Sequence, residues 1–381
     1  MKKPKIRFKG FRGEWEEHSL AETEFSIIAG GDIDRTIFKK CGNYPVIANA
    51  ITYDGILGYY ENSYRVKGPA VTVTGRGEVG VAVPRHYSFT PVVRLLAIKS
   101  SHNVHVLANA INLCKVPIES TGVPQLTTSK LQEYNVFMPQ TLDEEDKLAS
   151  YFQHLDSLIQ STTKKIETLK QVKAASLQSM FPQEGETTPR VRFKGFEGEW
   201  ERKKFCELYE TSTFKNRTFG VDRIISVANM YFKPVSYISN DEYLKSYNVM
   251  RLGDIAFEGN KSREFAHGRF VENTIGDGIV SHVFIVMRPI SEHYDLQFWK
   301  YLINYERIMG PILLRSTKHS TMMTDLVVSD FLKESILVPS YEEQKAIGAF
   351  FENLDIQITL QRQRLEKLKQ IKSACLDNMF V

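Results

Sequence analysis

If this chain performs chemistry, the first place to look is Gly75-Arg76-Gly77-Glu78-Val79-Gly80, a G-x-G-x-x-G pattern. In a dinucleotide-binding fold that loop opens a helix whose N-terminus holds the pyrophosphate. Here VGVAVPRH (79–86) follows, alternating like a strand and running into Pro84. The spacing therefore predicts a glycine-rich hairpin carrying an exposed Arg76. A magnesium-dependent nuclease needs clustered carboxylates with a lysine nearby. The nearest groupings are Glu145-Asp146-Lys147, at the start of a capped helix, and Asp254, Glu258 and Lys261, whose spacing matches no known metal cradle. Both read as solvated surface. There is no P-loop and no Asn- or Asp-Pro-Pro-aromatic tetrapeptide of the amino-methyltransferase kind. The nine histidines show no H-E-x-x-H spacing, and Cys41, Cys114, Cys206 and Cys375 lie far apart. No catalytic residue, no metal ligand and no bound cofactor is expected on this chain.

Nucleic-acid contacts do have candidates, because Arg, Lys and Asn neutralise phosphates or pair with guanine and adenine edges. In the first half these are Arg35, Lys39, Lys40, Asn43, Arg65, Lys67 and Arg76. In the second half they are Lys215, Asn216, Arg217, Asn260, Lys261, Ser262, Arg263, Arg269, Arg315 and Lys318. The densest signal is EGNKSREFAHGRF (258–270), where polar, basic and aromatic residues interleave. A net charge of +4 permits such a partner without demanding it. The hydrophobic share of 42% and charged share of 25% fit a globular protein of two domains within 381 residues. No apolar run approaches the ~20 residues of a membrane span. The start MKKPKIRFKG is basic but has no apolar core behind it, and cysteine usage fits a reducing cytoplasm.

What must position these loops is written twice. RFKGFRGEWE (7–16) returns as RFKGFEGEWE (192–201), and ETLKQVKAASLQSMF (167–181) returns as EKLKQIKSACLDNMF (366–380). Leu148, Phe152, Leu155, Ile159, Thr162, Ile166 and Leu169 are spaced alternately four and three apart, as are Ile347, Phe351, Leu354, Ile358, Gln361, Leu365 and Leu368. That is a coiled-coil seam with one polar position in each copy. Thr141 with Glu144, and Ser340 with Glu343, read as capping boxes just after Pro139 and Pro339. Helices of about 40 residues span ~60 Å. Their acidic starts and basic ends, together with the repeat, predict antiparallel pairing in which each start faces the partner's end. The aromatic tag residues Phe8, Phe11, Trp15, Phe193, Phe196 and Trp200 are too apolar to lie bare, and predict packing at the base of the helices.

The segments between, 18–138 and 203–338, hold short β-rich runs such as AVTVT (70–74), VGVAV (79–83) and VFIVM (283–287), with helix around Leu296–Ile308. They show no convincing alignment with each other. The fold class is α+β: two mixed α/β globules separated by two long helices in an antiparallel coiled coil, with a pseudo-two-fold internal repeat. The divisions fall at 1–140, 141–182, 183–339 and 340–381.

The paired tags, the run Pro339-Ser340-Tyr341-Glu342-Glu343-Gln344 and helices ending LKQxKxxxLxxMF resemble the specificity (S) subunit of bacterial type I restriction-modification enzymes. The first copy departs from the pattern, with Glu145 and Asp146 where the second has Gln344 and Lys345. The resemblance implies two target recognition domains that each read one half of a split, asymmetric site in double-stranded DNA. It further implies helices that space those domains and dock two methyltransferase (M) subunits. Those partners would use S-adenosylmethionine to methylate adenine N6, and restriction (R) subunits would add ATP- and magnesium-dependent translocation and cleavage. The chain itself would be a non-catalytic, cytoplasmic subunit. The alternative is a stand-alone DNA-binding or scaffold coiled-coil protein without catalysis of its own.

Overall fold

A computed structural model describes residues 3–50, 52–114, 124–234, 241–319 and 323–381. Two compact units emerge, Met1–Thr163 with Gln363–Val381, and Lys164–Arg362. The first variable segment runs through β1 (Glu16–Ser19), β2 (Ser26–Ala29), β3 (Tyr44–Ile47), β4 (Ile56–Tyr60), β5 (Ala70–Thr74), β6 (Ala82–Arg85), β7 (Thr90–Pro91), β8 (Leu95–Lys99), α1 (Val104–Leu113), α2 (Thr128–Gln132) and β9 (Asn135–Met138). The long helix α3 (Leu142–Met180) follows.

Strands order β2-β8-β5-β6 in one sheet and β4-β3-β7 in a second, while β1 pairs with β9. Side chains alternate across a strand, and the burial follows that alternation. Val71, Val73, Leu96 and Ile98 face a core shared with α1 and the long helices, whereas Ala70, Leu95 and Ala97 face Ile47, Val66 and Phe89 on the other side.

The second segment contains β10 (Glu201–Lys204), α4 (Phe205–Leu208), β11 (Tyr209–Ser212), β12 (Ile225–Ser226), β13 (Tyr231–Phe232), α5 (Asp241–Leu244), β14 (Asn248–Met250), β15 (Ile255–Glu258), β16 (Arg269–Glu272), β17 (Gly278–Val280) and β18 (Val286–Pro289). After these come α6 (Leu296–Leu302), α7 (Glu306–Ser316), β19 (Thr317–His319), β20 (Thr324–Leu326), α8 (Val328–Phe331), β21 (Ser335–Val338) and α9 (Tyr341–Met379). The helix expected over 296–308 is thus two helices broken around Ile303–Tyr305. Its four-stranded sheet orders β11-β18-β15-β16, the same path as β2-β8-β5-β6, and β10 pairs with β21 as β1 does with β9. Ile255, Phe257, Phe270 and Met287 face the helices, and Ala256, Val271 and Val286 face a separate small core. The two variable segments share a topology that their residues do not reveal.

Within each unit α3 and α9 run antiparallel. In the first, Phe152 near the start of α3 meets Phe380 just past the end of α9, with ring centroids 5.7 Å apart. In the second, Phe181 just past the end of α3 stacks on Phe351 near the start of α9 at 5.9 Å. Leu148, Phe152, Leu155, Ile166, Ile347, Phe351, Leu354 and Ile358 are buried, and Ile159, Leu169, Leu365 and Leu368 are half-buried. The polar seam position Thr162 is buried and satisfies its hydroxyl on Leu158 O.

The charge pairing differs from the expected start-to-end match. Lys372 donates to Asp156 in one unit and Lys173 to Asp355 in the other, so the acid lies about three turns past the acidic start. No described helix is long and apolar enough to cross a membrane.

Candidate nucleic-acid interface

The base on which each sheet stands is an arginine clamp. Arg7 in the tag donates from Nε and Nη2 to Glu144 at 2.6 and 2.7 Å, and from Nη1 to Gly13 O at 2.7 Å. Arg192 repeats this with Glu343, at 2.7 Å twice, and with Gly198 O at 2.6 Å. Glu144 and Glu343 are almost wholly buried, at 2% and 0% exposure. Neither capping box is completed. Ser340 Oγ accepts from the Glu343 amide, whereas at Thr141 the first-turn amides reach the backbone carbonyl, and in both copies the carboxylate reaches the tag instead of the cap. Gly13 and Gly198 hold positive φ, 91° and 80°, which lets the tag double back so that its carbonyl meets the guanidinium. The carboxylate of Glu343 raises the Arg192 guanidinium further above its ordinary value. Trp15 packs edge-on to Phe380, and Trp200 to Phe181, so the tags do sit at the base of the helices.

One residue further along, the two copies part. Glu145, 1% exposed, accepts from His102 Nδ1 at 2.7 Å and from the amide of Asn103, the N-cap of α1, at 2.6 Å. Its counterpart Gln344 accepts from the amide of Asp295, the N-cap of α6, and donates to Pro339 O. Each anchors the first helix after the sheet to the start of a long helix.

Away from that base, β5 and β6 are joined by Gly75–Val81, the hairpin expected from the glycine pattern, with Arg76 exposed at its turn. In the second unit the topologically equivalent connection, β15 to β16, is the 259–268 loop. There Asn260, Lys261, Ser262 and Arg263 are exposed on a turn closed by Ser262 N to Phe265 O and Phe265 N to Ser262 Oγ. The best candidates of the two halves thus occupy the same place in the same sheet.

The remaining candidates divide. Arg35, Lys40 and Lys67 are exposed, and a Cβ at Gly31 would strike the exposed Arg65 guanidinium. Lys39 and Asn43 converge on Glu61, with Asn43 Nδ2 donating to both Glu61 O and Oε1 at 3.1 Å. Arg217 and Lys318 are exposed.

Four candidates are already engaged by groups of their own chain. Asn216 is 4% exposed, and its amide is spent on Phe219 O, Leu244 O and the Thr218 and Phe219 amides, so it shapes its own loop. Lys215 Nζ is held by Ser246 O and Asn248 Oδ1. Arg269 is tied to Glu258 and Ala228 O under the Phe265 ring. Arg315 forms a two-bond pair with Glu334 and lines a cavity with Pro182, Glu184 and Arg202, at the base of the unit and away from the hairpin.

Two exposed aromatic side chains carry no signal in the sequence. Tyr53 is 92% exposed at φ 53°, beside Asp54 at φ 54°, a left-handed pair that costs non-glycine residues ~1–2 kcal/mol each. The buried Arg85 holds that turn through Asp54 O. Phe214, 58% exposed, has the guanidinium groups of Arg251 and Arg288 5.9 and 5.3 Å from its ring centroid. With Lys215, Arg217 and Asp277 it lines a groove of about 630 Å3. Flat rings flanked by guanidinium groups are platforms on which bases stack. Exposure of an aromatic ring was the one signal available, and it cannot be read from residue type.

Comparison with known proteins agrees with this arrangement. The family model of the type I restriction modification DNA specificity domain matches twice, over residues 13–171 and 199–370, and the chain belongs to that family. A type I specificity subunit of Mycoplasma pneumoniae is 28% identical over 142 residues, 36% of this chain and 39% of that relative. The MjaVIII specificity subunit of Methanocaldococcus jannaschii is 23% identical over 286 residues, 69% of this chain and 65% of that protein. The matched regions thus span about two fifths and two thirds of these relatives. In fold, the chain is similar to the S subunit from M. genitalium, with a TM-score of 0.65 at 11% identity, covering 100% of this chain and 99% of that one.

Proposed function

We propose that the chain is the non-catalytic sequence-reading subunit of a type I restriction-modification system, in which each unit reads one half of a bipartite, asymmetric DNA site. The observation that carries this is the pairing of sameness with difference. Two sheets of one topology stand on the same Arg–Glu clamps, while the hairpins projecting from corresponding places differ in length and residues. A sensor that must report two unrelated half-sites needs one mount twice and two different reading surfaces. Methyltransferase subunits docked on the helices would bind S-adenosylmethionine and methylate adenine N6. Restriction subunits would add ATP-driven translocation and cleavage. Half-sites about one turn of duplex apart, ~34–36 Å, present themselves on one face.

Mapping N6-methyladenine genome-wide in cells with and without this chain tests the reading. A split motif that disappears with the chain is expected, and an unchanged methylome would overturn it. Exchanging residues 18–138 for those of a relative should rewrite one half of the motif only. Removing one turn from both helices should alter the spacer and leave both halves intact. A stand-alone scaffold would instead show no sequence preference with its partners present, whereas a specific complex should discriminate by about 4–10 kcal/mol and weaken steeply with salt.

A further inference from the structure

We propose that the first unit carries a binding site for a divalent transition metal, zinc being the ion its donors favour, formed by His18 Nδ1, the Glu24 carboxylate and His102 Nε2. The three come from β1, from the turn between β1 and β2, and from the residue before the N-cap of α1, so no spacing motif marks them. Their ligand atoms all lie within 4.8 Å of one another. His18 Nδ1 is 2.6 Å from Glu24 Oε1, and His102 Nε2 is 3.8 Å from Glu24 Oε2. Around a tetrahedral zinc with bonds of ~2.0–2.2 Å, neighbouring ligand atoms sit ~3.3 Å apart. The observed separations bracket that value.

Two features point to an ion. First, His102 Nδ1 is committed to Glu145 Oε1 at 2.7 Å, which in the neutral ring fixes the proton on Nδ1 and leaves the lone pair of Nε2 facing the cluster. A carboxylate behind a ligating imidazole is the usual way such a ring is oriented and made more basic. Second, His102 Nε2 is buried and makes no hydrogen bond, the kind of orphan that a metal ion satisfies. The side chains are enclosed, at 16% exposure for His18 and 11% for His102. Two imidazoles with a carboxylate suit zinc over magnesium or calcium.

The second unit lacks the set. Lys203 stands on β10 where His18 stands on β1, Tyr294 precedes the N-cap of α6 as His102 precedes that of α1, and Gln344 replaces Glu145. The Tyr294 hydroxyl is taken by Glu272 at 2.6 Å. The metal would tie β1, α1 and, through Glu145, the first turn of α3 into one clip, holding the first sheet to its base.

The test uses the full chain, freed of metal with chelator and dialysed against Zn2+, with bound metal counted and the Co2+ form followed by its visible absorption. About one ion per chain is expected, with the cobalt band present. His18→Gln and His102→Gln should each weaken binding about 100-fold and abolish the band, and Glu24→Gln should weaken it about tenfold. His86→Gln, which alters the other histidine pair (His86 Nε2 and His105 Nε2, 2.6 Å apart), should change neither. Circular dichroism of the variants separates lost ligation from lost fold, and Glu24→Gln, on the most exposed of the three, supplies the reading if either histidine variant misfolds. Failure of the parent chain to retain Zn2+ at micromolar concentration, retention unchanged in the histidine and glutamate variants, or loss in His86→Gln would overturn the assignment.

Discussion

The two units differ least where they touch the long helices and most where they face away from them. Arg7–Glu144 and Arg192–Glu343, Trp15–Phe380 and Trp200–Phe181, and Asp156–Lys372 and Asp355–Lys173 are the same contacts written twice. Across the sheets the agreement is one of topology alone, and at the β5–β6 and β15–β16 hairpins even length is not shared. Each of these corresponding strands buries an ionisable side chain, yet a base in one and an acid in the other: Arg85 on β6 donates to Thr72 Oγ1 and Asp54 O, while Glu272 on β16 accepts from Tyr294. A repeated mount constrains only the residues that contact it, and the rest of each unit is free to diverge.

The comparison breaks most visibly at the aromatic ends of the helices. Phe181 is fully buried against Trp200, Phe298, Tyr305 and Phe351, whereas Phe380, 6% exposed, meets Trp15 and Phe152. Truncating a buried phenylalanine costs about 3–5 kcal/mol. Phe181→Ala should fall at the upper end and Phe380→Ala at the lower. Hydrogen exchange should show each variant loosening its own unit and sparing the other. Equal loosening of both units would mean that the units are not separately cooperative.

The arginine clamps come next. Breaking a buried ion pair from one side costs about 3 kcal/mol or more, because the remaining carboxylate keeps no partner. Arg7→Ala and Arg192→Ala should therefore lower the urea midpoint by similar amounts. Arg7→Lys and Arg192→Lys should recover only part of the loss, since an ammonium cannot make the two-bond fork. A large difference between the two positions would show that the mounts are alike in geometry but not in energy.

The buried carboxyl of Glu272 makes the second unit sensitive to pH. Burial pushes the Glu272 carboxyl well above the usual carboxylate range, so the folded chain holds a proton that the unfolded chain releases. That contribution to stability is complete below the ordinary carboxylate pKa and is lost as pH rises toward the folded value, at no more than ~1.4 kcal/mol per pH unit. Glu272→Gln should flatten this decline and leave the second unit stabler than the parent at neutral pH. Urea titrations from weakly acidic to weakly alkaline pH, read through second-unit tryptophans, check this. A decline that survives in the variant would assign it elsewhere.

Legibility in the sequence followed the range of the interactions. The seam from Leu148 to Leu169 and its repeat are local, set by a period of three and four, and so was the hairpin at Gly75–Gly80. The Arg7–Glu144 clamp joins residues 137 apart, and nothing in either neighbourhood announces the other. Asn216, Lys215, Arg269 and Arg315 have the right chemistry for DNA, but residue type does not show that an acceptor of their own chain already holds them. Tyr53 and Phe214 went unnoticed for the converse reason, since an aromatic residue is expected inside. The common sheet order was hidden because alternation constrains polarity, not identity.

The smallest expected effect bears directly on whether corresponding hairpins do corresponding work. Arg76 and Arg263 are exposed on the β5–β6 and β15–β16 connections. If both only neutralise phosphates, Arg76→Ala and Arg263→Ala should each weaken the assembled complex a few-fold for every sequence and reduce the salt slope by about 1. If one pairs with a guanine edge, its loss should cost about 1–3 kcal/mol and relax a single position within one half-site. Binding measured over a salt series, with methylation mapped on a degenerate site library, separates these outcomes for each hairpin. Unchanged salt slope and unchanged motif in both variants would remove the hairpins from the interface and shift attention to the Tyr53 turn and the Phe214 groove.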